Sequence, residues 1–239
     1  MSDLLHAPRS LPPLAQPALQ PVVRRTLTDD VLLTLRKAIV AGAFAAGDHI
    51  PEARMAKELG VSRVPVREAM MALEREGLLA FDPRGAARVR EFAPEDFEEI
   101  FTMRLTLEPV AARKACQNLR PEDVTKMQAT IEQMNKTTCL LEVTLLDVEF
   151  HDLVVQAGQN QLLYGSWVNL RSQLQLWMAR LHRHQGNIKS TRASSVRDHL
   201  EIVRVLQSRD GEAASERMHQ HLVSWRECMP QSSWEGNVV

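Results

Sequence analysis

Four side chains in this sequence could hold a metal ion: Asp147, His151, His199 and His221. Asp147 and His151 are four residues apart, so on a helix they stack on one face. The adjoining row Val143, Leu146, Phe150, Leu153 and Val154 would turn that face toward a core. A carboxylate and an imidazole at this spacing are good metal ligands, although the pair alone could equally be a plain hydrogen-bonded contact. His199 falls within the arc of Val196, Leu200, Val203 and Leu206. In the last segment Ala214, Met218, Leu222 and Trp225 define the inward face. At about 100° per residue, His221 lies roughly 40° from the centre of that face and His219 roughly 120° away. His221 therefore points in and His219 out.

Three imidazoles buried without partners would be costly, and shared ligation removes that cost. One carboxylate and three imidazoles suit Zn²⁺, Ni²⁺, Mn²⁺ or Fe²⁺. Six-coordination would leave two positions open for water or for a small organic acid binding through its carboxylate. Arg104 and Arg171 are the candidate cations for such an acid, and Arg104 is also spaced for a helix-surface salt bridge with Glu108. Asn160 is a further effector candidate, with helix capping as its other role. His182 and His184, beside Arg180 and Arg183, read as solvated.

Bringing those four ligands together takes several helices. From Pro94 to about Pro230 the pattern is helical throughout, with almost no strand alternation. Six helices are expected, over 94–117, 121–136, 140–157, 160–183, 190–209 and 211–228. Pro94 and Pro121 suit first-turn positions, and Pro109 is expected to kink the first of these helices. Gly158, Gly165, Gly186 and Gly211 should fall near helix ends or in loops. The fold class is thus mostly α, with an all-α bundle over 94–230 and a short tail over 231–239.

The earlier segment LGVSRVPVREAMMALEREGLL, Leu59 to Leu79, reads as the turn and second helix of a helix-turn-helix. Gly60 allows a tight turn, Ser62 can cap, and Pro65 suits a first turn, where its missing N–H is not needed. Val66, Ala69, Met70 and Leu73 give the apolar face. Arg63 and Arg67 stand at the N-terminal end, where a recognition helix presents side chains to a DNA groove.

Together with VLLTLRKAIVAGAFAAGDHI before it and DPRGAARVREF after it, this segment resembles the DNA-binding half of GntR-type repressors. The resemblance implies a winged helix-turn-helix over residues 22–92. A first helix runs from Thr28, as cap, to Ala41, with Val31, Leu35 and Ile39 inside. A second, Glu52 to Leu59, buries Met55 and Leu59, and the third, from Arg63, ends at Gly77. Strands around Phe81 and over Arg88–Phe92 flank a wing tip at Asp82–Ala87. Carried over to this chain, Arg63 and Arg67 contact bases or phosphates and Gly85 meets the DNA backbone. Arg84 on the wing could reach a phosphate or the minor groove, or be an ordinary hairpin-tip arginine. Ser62 completes the DNA-facing set with Arg54, which replaces a commonly acidic residue and could add a phosphate contact; Ala46 stands where proline is usual.

The helical half resembles the FCD effector domain of the FadR branch. The cues are Arg104-x-x-x-Glu108, Asp147-x-x-Phe150-His151, Asn160, and His199 followed by Ile202. That resemblance implies the same four metal positions, Asp147, His151, His199 and His221. It also implies a dimer on a palindromic operator of double-stranded DNA, with repression relieved by a small carboxylate. A regulator answering to the metal alone, or holding it only for structure, is the alternative.

The 239 residues allow two modest domains. The net charge of −1 hides a division. Residues 22–92 hold 12 Lys and Arg against 10 Asp and Glu, a net +2, and residues 93–239 hold 16 against 19, a net −3. So small a surplus makes DNA affinity depend on pairing two copies. Cys116, Cys139 and Cys228 form no C-x-x-C and read as reduced, mostly buried cysteines of a cytoplasmic protein. No apolar run reaches membrane-spanning length. The tail over 1–21, with Pro8, Pro12, Pro13, Pro17 and Pro21, reads as disordered. Enzyme motifs (H-E-x-x-H, G-x-S-x-G, a phosphate-binding loop) are absent, and Glu149 should point away from Asp147, which argues against catalysis.

Overall fold

The computed structural model describes residues 26–185 and 188–227, with backbone alone at residue 94 and over 182–185. The Pro-rich tail, the 231–239 tail, Cys228, Gly186 and the side chains of His182 and His184 lie outside the described residues. The elements run α1 (Leu27–Ala41), α2 (Glu52–Leu59), α3 (Arg63–Arg75), β1 (Leu79–Phe81), β2 (Ala87–Val89), α4 (Pro94–Asn118), α5 (Pro121–Lys136), α6 (Leu140–Ala157), α7 (Gln161–Gln185), α8 (Ile188–Gln207) and α9 (Gly211–Glu227). The fold is mostly α, a winged helix-turn-helix followed by a six-helix bundle.

Thr26, not Thr28, caps α1. Its hydroxyl accepts from the Asp29 N–H, and the Asp29 carboxylate accepts from the Thr26 N–H, a reciprocal box that satisfies two donors at once. Thr28 instead donates its hydroxyl to Glu68 on α3 at 2.8 Å. Val31, Leu35 and Ile39 are buried against α3, whose Val66, Ala69, Met70 and Leu73 are sealed completely. In α2 Met55 is buried as expected, but Leu59 is only half-buried and Ala56 takes its place inside. α3 stops at Arg75, two residues early, because Gly77 adopts φ +71° and Leu78 N–H turns back to the Leu73 carbonyl.

β1 and β2 pair antiparallel with Ala80 opposite Arg88. The intervening tip is closed by Asp82, whose carboxylate accepts the N–H groups of Arg84 and Ala86, with Gly85 at φ +79°.

In the bundle, α4 packs along α9 and also against α6 and α7, while α5 packs on α6 and α8. α4 continues across Pro109 as one helix, and Pro94 and Pro121 each open a helix at its first turn. Gly165 lies within α7 rather than at its end. On α8 the expected inward arc is shifted: Leu200 is half-exposed, and Ile202 joins Val203 and Leu206 inside. Cys116 is buried, but Cys139 is exposed at the start of α6, contrary to expectation. No helix among the described residues is long and apolar enough to cross a membrane.

One buried apolar cluster runs from Val31 through Phe92 and Phe97 to Leu222, so the winged part and the bundle share a core. Their joint is polar at its centre. Arg36 of α1 grips Glu76 with Nε at 2.8 Å and Nη2 at 2.5 Å, and the Ser172 hydroxyl of α7 donates to the same carboxylate at 3.1 Å. Arg90 donates to Gln173 of α7 at 2.7 Å, and Gln173 packs where a side chain on Gly77 would sit.

Candidate metal centre and nucleic-acid interface

The bundle brings Asp147, His151, His199 and His221 into one buried place. His151 and His199 are completely inaccessible, and Asp147 and His221 nearly so. Nε2 of His151 and Nε2 of His221 are 3.3 Å apart, and Nε2 of His199 is 3.4 Å from Oδ1 of Asp147. The three histidines each offer a ring nitrogen within 4.8 Å of the other two, whereas the Asp147 carboxylate, although beside His199, does not come within that distance of all three. His219, on the far side of α9, is exposed, as the helical angle requires.

Several observations bear on whether these residues fit a metal. Neither ring nitrogen of His199 has a hydrogen-bond partner, although both are sealed from solvent. Leaving such groups bare is expensive. Burial, reinforced by His221 and His151, holds the His199 imidazole well below its ordinary pKa, and burial lowers His221 as well. Neutral imidazoles are what a metal requires. Atoms bound about 2.1 Å from one ion stand about 3.0–3.4 Å apart between octahedral and tetrahedral geometry. The His151–His221 and His199–Asp147 pairs, at 3.3 and 3.4 Å, have that spacing, and the three histidines as a group lie within 4.8 Å. The donor set fits a divalent transition ion.

Around this cluster lies a layer that holds the rings. The Glu108 carboxylate on α4 lies against Nδ1 of His151, and its other oxygen accepts from Nε of Arg104 at 2.6 Å. Burial alone would raise the Glu108 carboxyl; the Arg104 guanidinium and His151 overcome this and hold it below the usual carboxylate range. Arg104 is itself buried and lies over the Trp225 ring at 5.1 Å. Its pairing with Glu108 is therefore an interior one, not the helix-surface salt bridge that the spacing suggested. Phe150 stacks on His199 with ring centroids 3.9 Å apart and planes within 10°. Nδ1 of His221 faces Asp198 at 3.9 Å, beyond hydrogen-bond length.

Glu108 and Asp198 were missed as site residues. For Glu108 a signal existed, since it continues the inward stripe Phe97, Ile100, Phe101 and Arg104 at helical spacing. The two remaining effector candidates have partners outside the histidine cluster. Arg171 donates to Asp152 at 2.7 Å, a carboxylate that also accepts from Trp167 and Gln156. Asn160 caps α7, accepting the Leu163 N–H at 3.2 Å. Glu149 is exposed, facing away from Asp147.

At the opposite end, the N-terminus of α3 and the wing tip present the basic residues. Arg63 and Arg67 are each about two-thirds exposed, and both reach Glu52 at the start of α2, at 3.2 and 3.1 Å. Ser62 is the cap residue of α3 by position, but its side chain makes no capping bond and is exposed. Arg54 is exposed and pairs with Glu58 at 2.7 Å. Arg84 and Gly85 are exposed at the tip. Arg88, not foreseen, adds a cation on β2, donating to the Gly47 carbonyl at 3.0 Å and lying 3.6 Å from Asp82.

The model for bacterial regulatory proteins of the gntR family matches residues 27–89, and that for the FCD domain matches residues 99–224. Over 217 residues the chain is 30% identical to the Exu regulon transcriptional regulator of Escherichia coli, covering 83% of this chain and 82% of that protein. It is 29% identical over 191 residues to the HTH-type transcriptional regulator YdhC of Bacillus subtilis, covering 78% and 84% respectively. Among solved structures, E. coli McbR/YncC superposes with a TM-score of 0.74 at 20% identity, over 85% of this chain and 97% of that one. A likeness at that identity speaks to fold alone.

Proposed function

The chain belongs to the GntR family of bacterial regulatory proteins and carries an FCD domain, and from that we propose a dimeric repressor controlled by a small carboxylate at a metal centre. It is a DNA-binding transcriptional regulator, not an enzyme. Asp147, His151, His199 and His221 are the proposed ligands of a divalent ion, Zn²⁺, Ni²⁺, Mn²⁺ or Fe²⁺. The observation that carries this is the convergence of three sealed imidazoles, one of them with neither nitrogen hydrogen-bonded. When bound, the ion supplies a Lewis-acidic anchor for an oxygen ligand.

Glu108 holds the His151 ring from behind, and Arg104 keeps Glu108 ionised there. Arg63, Arg67, Arg84 and the wing backbone at Gly85 form the proposed DNA surface, with two copies facing successive half-sites. Signal passes from the centre through α6 to α7, whose Ser172 and Gln173 touch Glu76 and Gly77 at the end of α3. A ligand controls DNA binding only by favouring one pose of that joint, and a tenfold effect takes about 1.4 kcal/mol of difference.

Full burial of His151 and His199 favours a second reading, in which the metal alone is the signal or a structural element. Thermal melting of metal-loaded protein, with EDTA and with small mono-, di- and hydroxy-carboxylates, separates the two. A native-state ligand raises the midpoint by mass action. Stabilisation by one acid, only with metal present, supports carboxylate control; an EDTA effect with no acid effect supports the second reading. Protein shown to hold metal, yet indifferent to its removal, rejects the four-ligand centre.

A further inference from the structure

We infer that Glu52 is a positioning residue for sequence-specific DNA reading, holding Arg63 and Arg67 side by side at the edge of α3. This rests on the proposal that those two arginines contact DNA. One carboxylate serves both guanidinium groups, Oε2 toward Nη2 of Arg63 at 3.2 Å and Oε1 toward Nε of Arg67 at 3.1 Å. The two arginines are mostly in solvent, and exposed pairs of this kind add little to fold stability. The arrangement therefore calls for a reason other than stability. Glu52 is itself well placed to serve as the fixed point. It is largely buried, it occupies the first turn of α2, and the positive end of that helix favours a carboxylate there.

What the pairing leaves free matters most. Arg67 is held through Nε, so both of its terminal amino groups remain available for a two-pronged contact with guanine O6 and N7 or with a phosphate. Arg63 is held through one terminal nitrogen and keeps its other donors. A fixed Glu52 thus restricts which way two long, flexible side chains point before DNA arrives. Its negative charge also lowers attraction to phosphates in general. Both effects favour the right sequence over random DNA.

The test compares full-length wild type and E52Q on a duplex recovered by selecting a random library against the wild-type protein, and on poly(dI-dC). E52Q should bind poly(dI-dC) more tightly, with a salt slope steeper by about one per subunit. Its preference for the selected duplex over poly(dI-dC) should fall about tenfold, a drop within the range set by one lost base contact. Equal changes on both DNAs, leaving the preference intact, overturn the inference. Should E52Q fold poorly by thermal melting, E52A measured in wild-type and R63A/R67A backgrounds takes its place. The preference loss should vanish where the arginines are gone, since contacting residues couple; a loss that persists there overturns the inference. If R63A/R67A itself leaves binding to the selected duplex unchanged, the DNA surface is wrong, and Glu52 falls with it.

Discussion

At the proposed DNA surface Arg63, Arg67 and Arg84 stand in solvent, whereas in the bundle Arg104, Glu108 and His151 are sealed from it. The same residue types do different work in these settings. Exposed cations are screened, contribute little to the fold and remain free to exchange their partners for phosphate. Buried ones are held to one geometry, because breaking the pair strands a charge without water. Under the proposed function, many weak, reversible contacts to DNA fall in the first setting and the metal centre in the second. The difference can be tested from both sides.

The largest effect should come from His199→Ala. It removes one proposed ligand and opens a space beside Phe150. Metal content by elemental analysis should fall to background, and the melting midpoint should stop responding to EDTA. DNA affinity of the metal-free wild type and of this variant should then agree. Retention of stoichiometric metal would remove His199 from the ligand set.

Glu108→Gln follows. Gln keeps the shape but leaves Arg104 facing a neutral group in the interior, a change that costs about 3–5 kcal/mol when a buried pair is broken. It also loosens His151, and outer-layer partners of this kind are worth about 10–100-fold in metal affinity. Calorimetric melting and competition with a chelator read the two effects separately. A loss of stability with unchanged metal affinity would reduce Glu108 to a structural partner of Arg104.

These residues also mark how much could be read from the chain alone. The helices of both halves, the inward faces of α1 and α3, and the choice of His221 over His219 all follow from periodicity, which is a local property. Thr26 and Thr28 are chemically alike as caps for α1, and only the Asp29 carboxylate, which accepts from the Thr26 N–H, distinguishes them. The spacing of Arg104 and Glu108 leaves a surface pair and an inward cation both open, because i, i+4 spacing describes a face without saying whether that face is covered. α9, α6 and α7 all pack on α4, which no local pattern reports. Asn160 takes the capping role that its residue type and place before a helix allow, whereas the Asp152 carboxylate that claims Arg171 is set by packing, which residue type does not report. The joint formed by Arg36, Glu76 and Ser172 spans 136 positions from Arg36 to Ser172 and left no trace in the sequence.

That joint lies between the two settings and gives a prediction of intermediate size. Gly77 sits at φ +71°, and a methyl there would meet the Gln173 side chain at 2.7–2.9 Å. Gly77→Ala should cost about 1–2 kcal/mol for the left-handed backbone of an L residue. Displacing Gln173 also takes a partner from Arg90. The expected outcome is a modest fall in melting midpoint with metal content intact and DNA affinity no longer responsive to the effector state. Normal responsiveness would show that control does not run through α7.

The smallest effect belongs to the wing. Arg84 is exposed, and only its backbone N–H is engaged, by the Asp82 carboxylate that shapes the tip. Arg84→Ala leaves that bond in place, so the hairpin and the melting midpoint should not change. A residue that touches only phosphate should weaken all sequences alike and reduce the salt slope by about one per subunit. One that enters the minor groove should instead weaken A·T-rich flanks more than G·C-rich ones, because a narrow groove concentrates negative potential. Titrating the variant on selected duplexes with both kinds of flank distinguishes the two. An unchanged slope on every duplex would leave Arg84 as a hairpin-tip arginine and remove the wing tip from the proposed DNA surface.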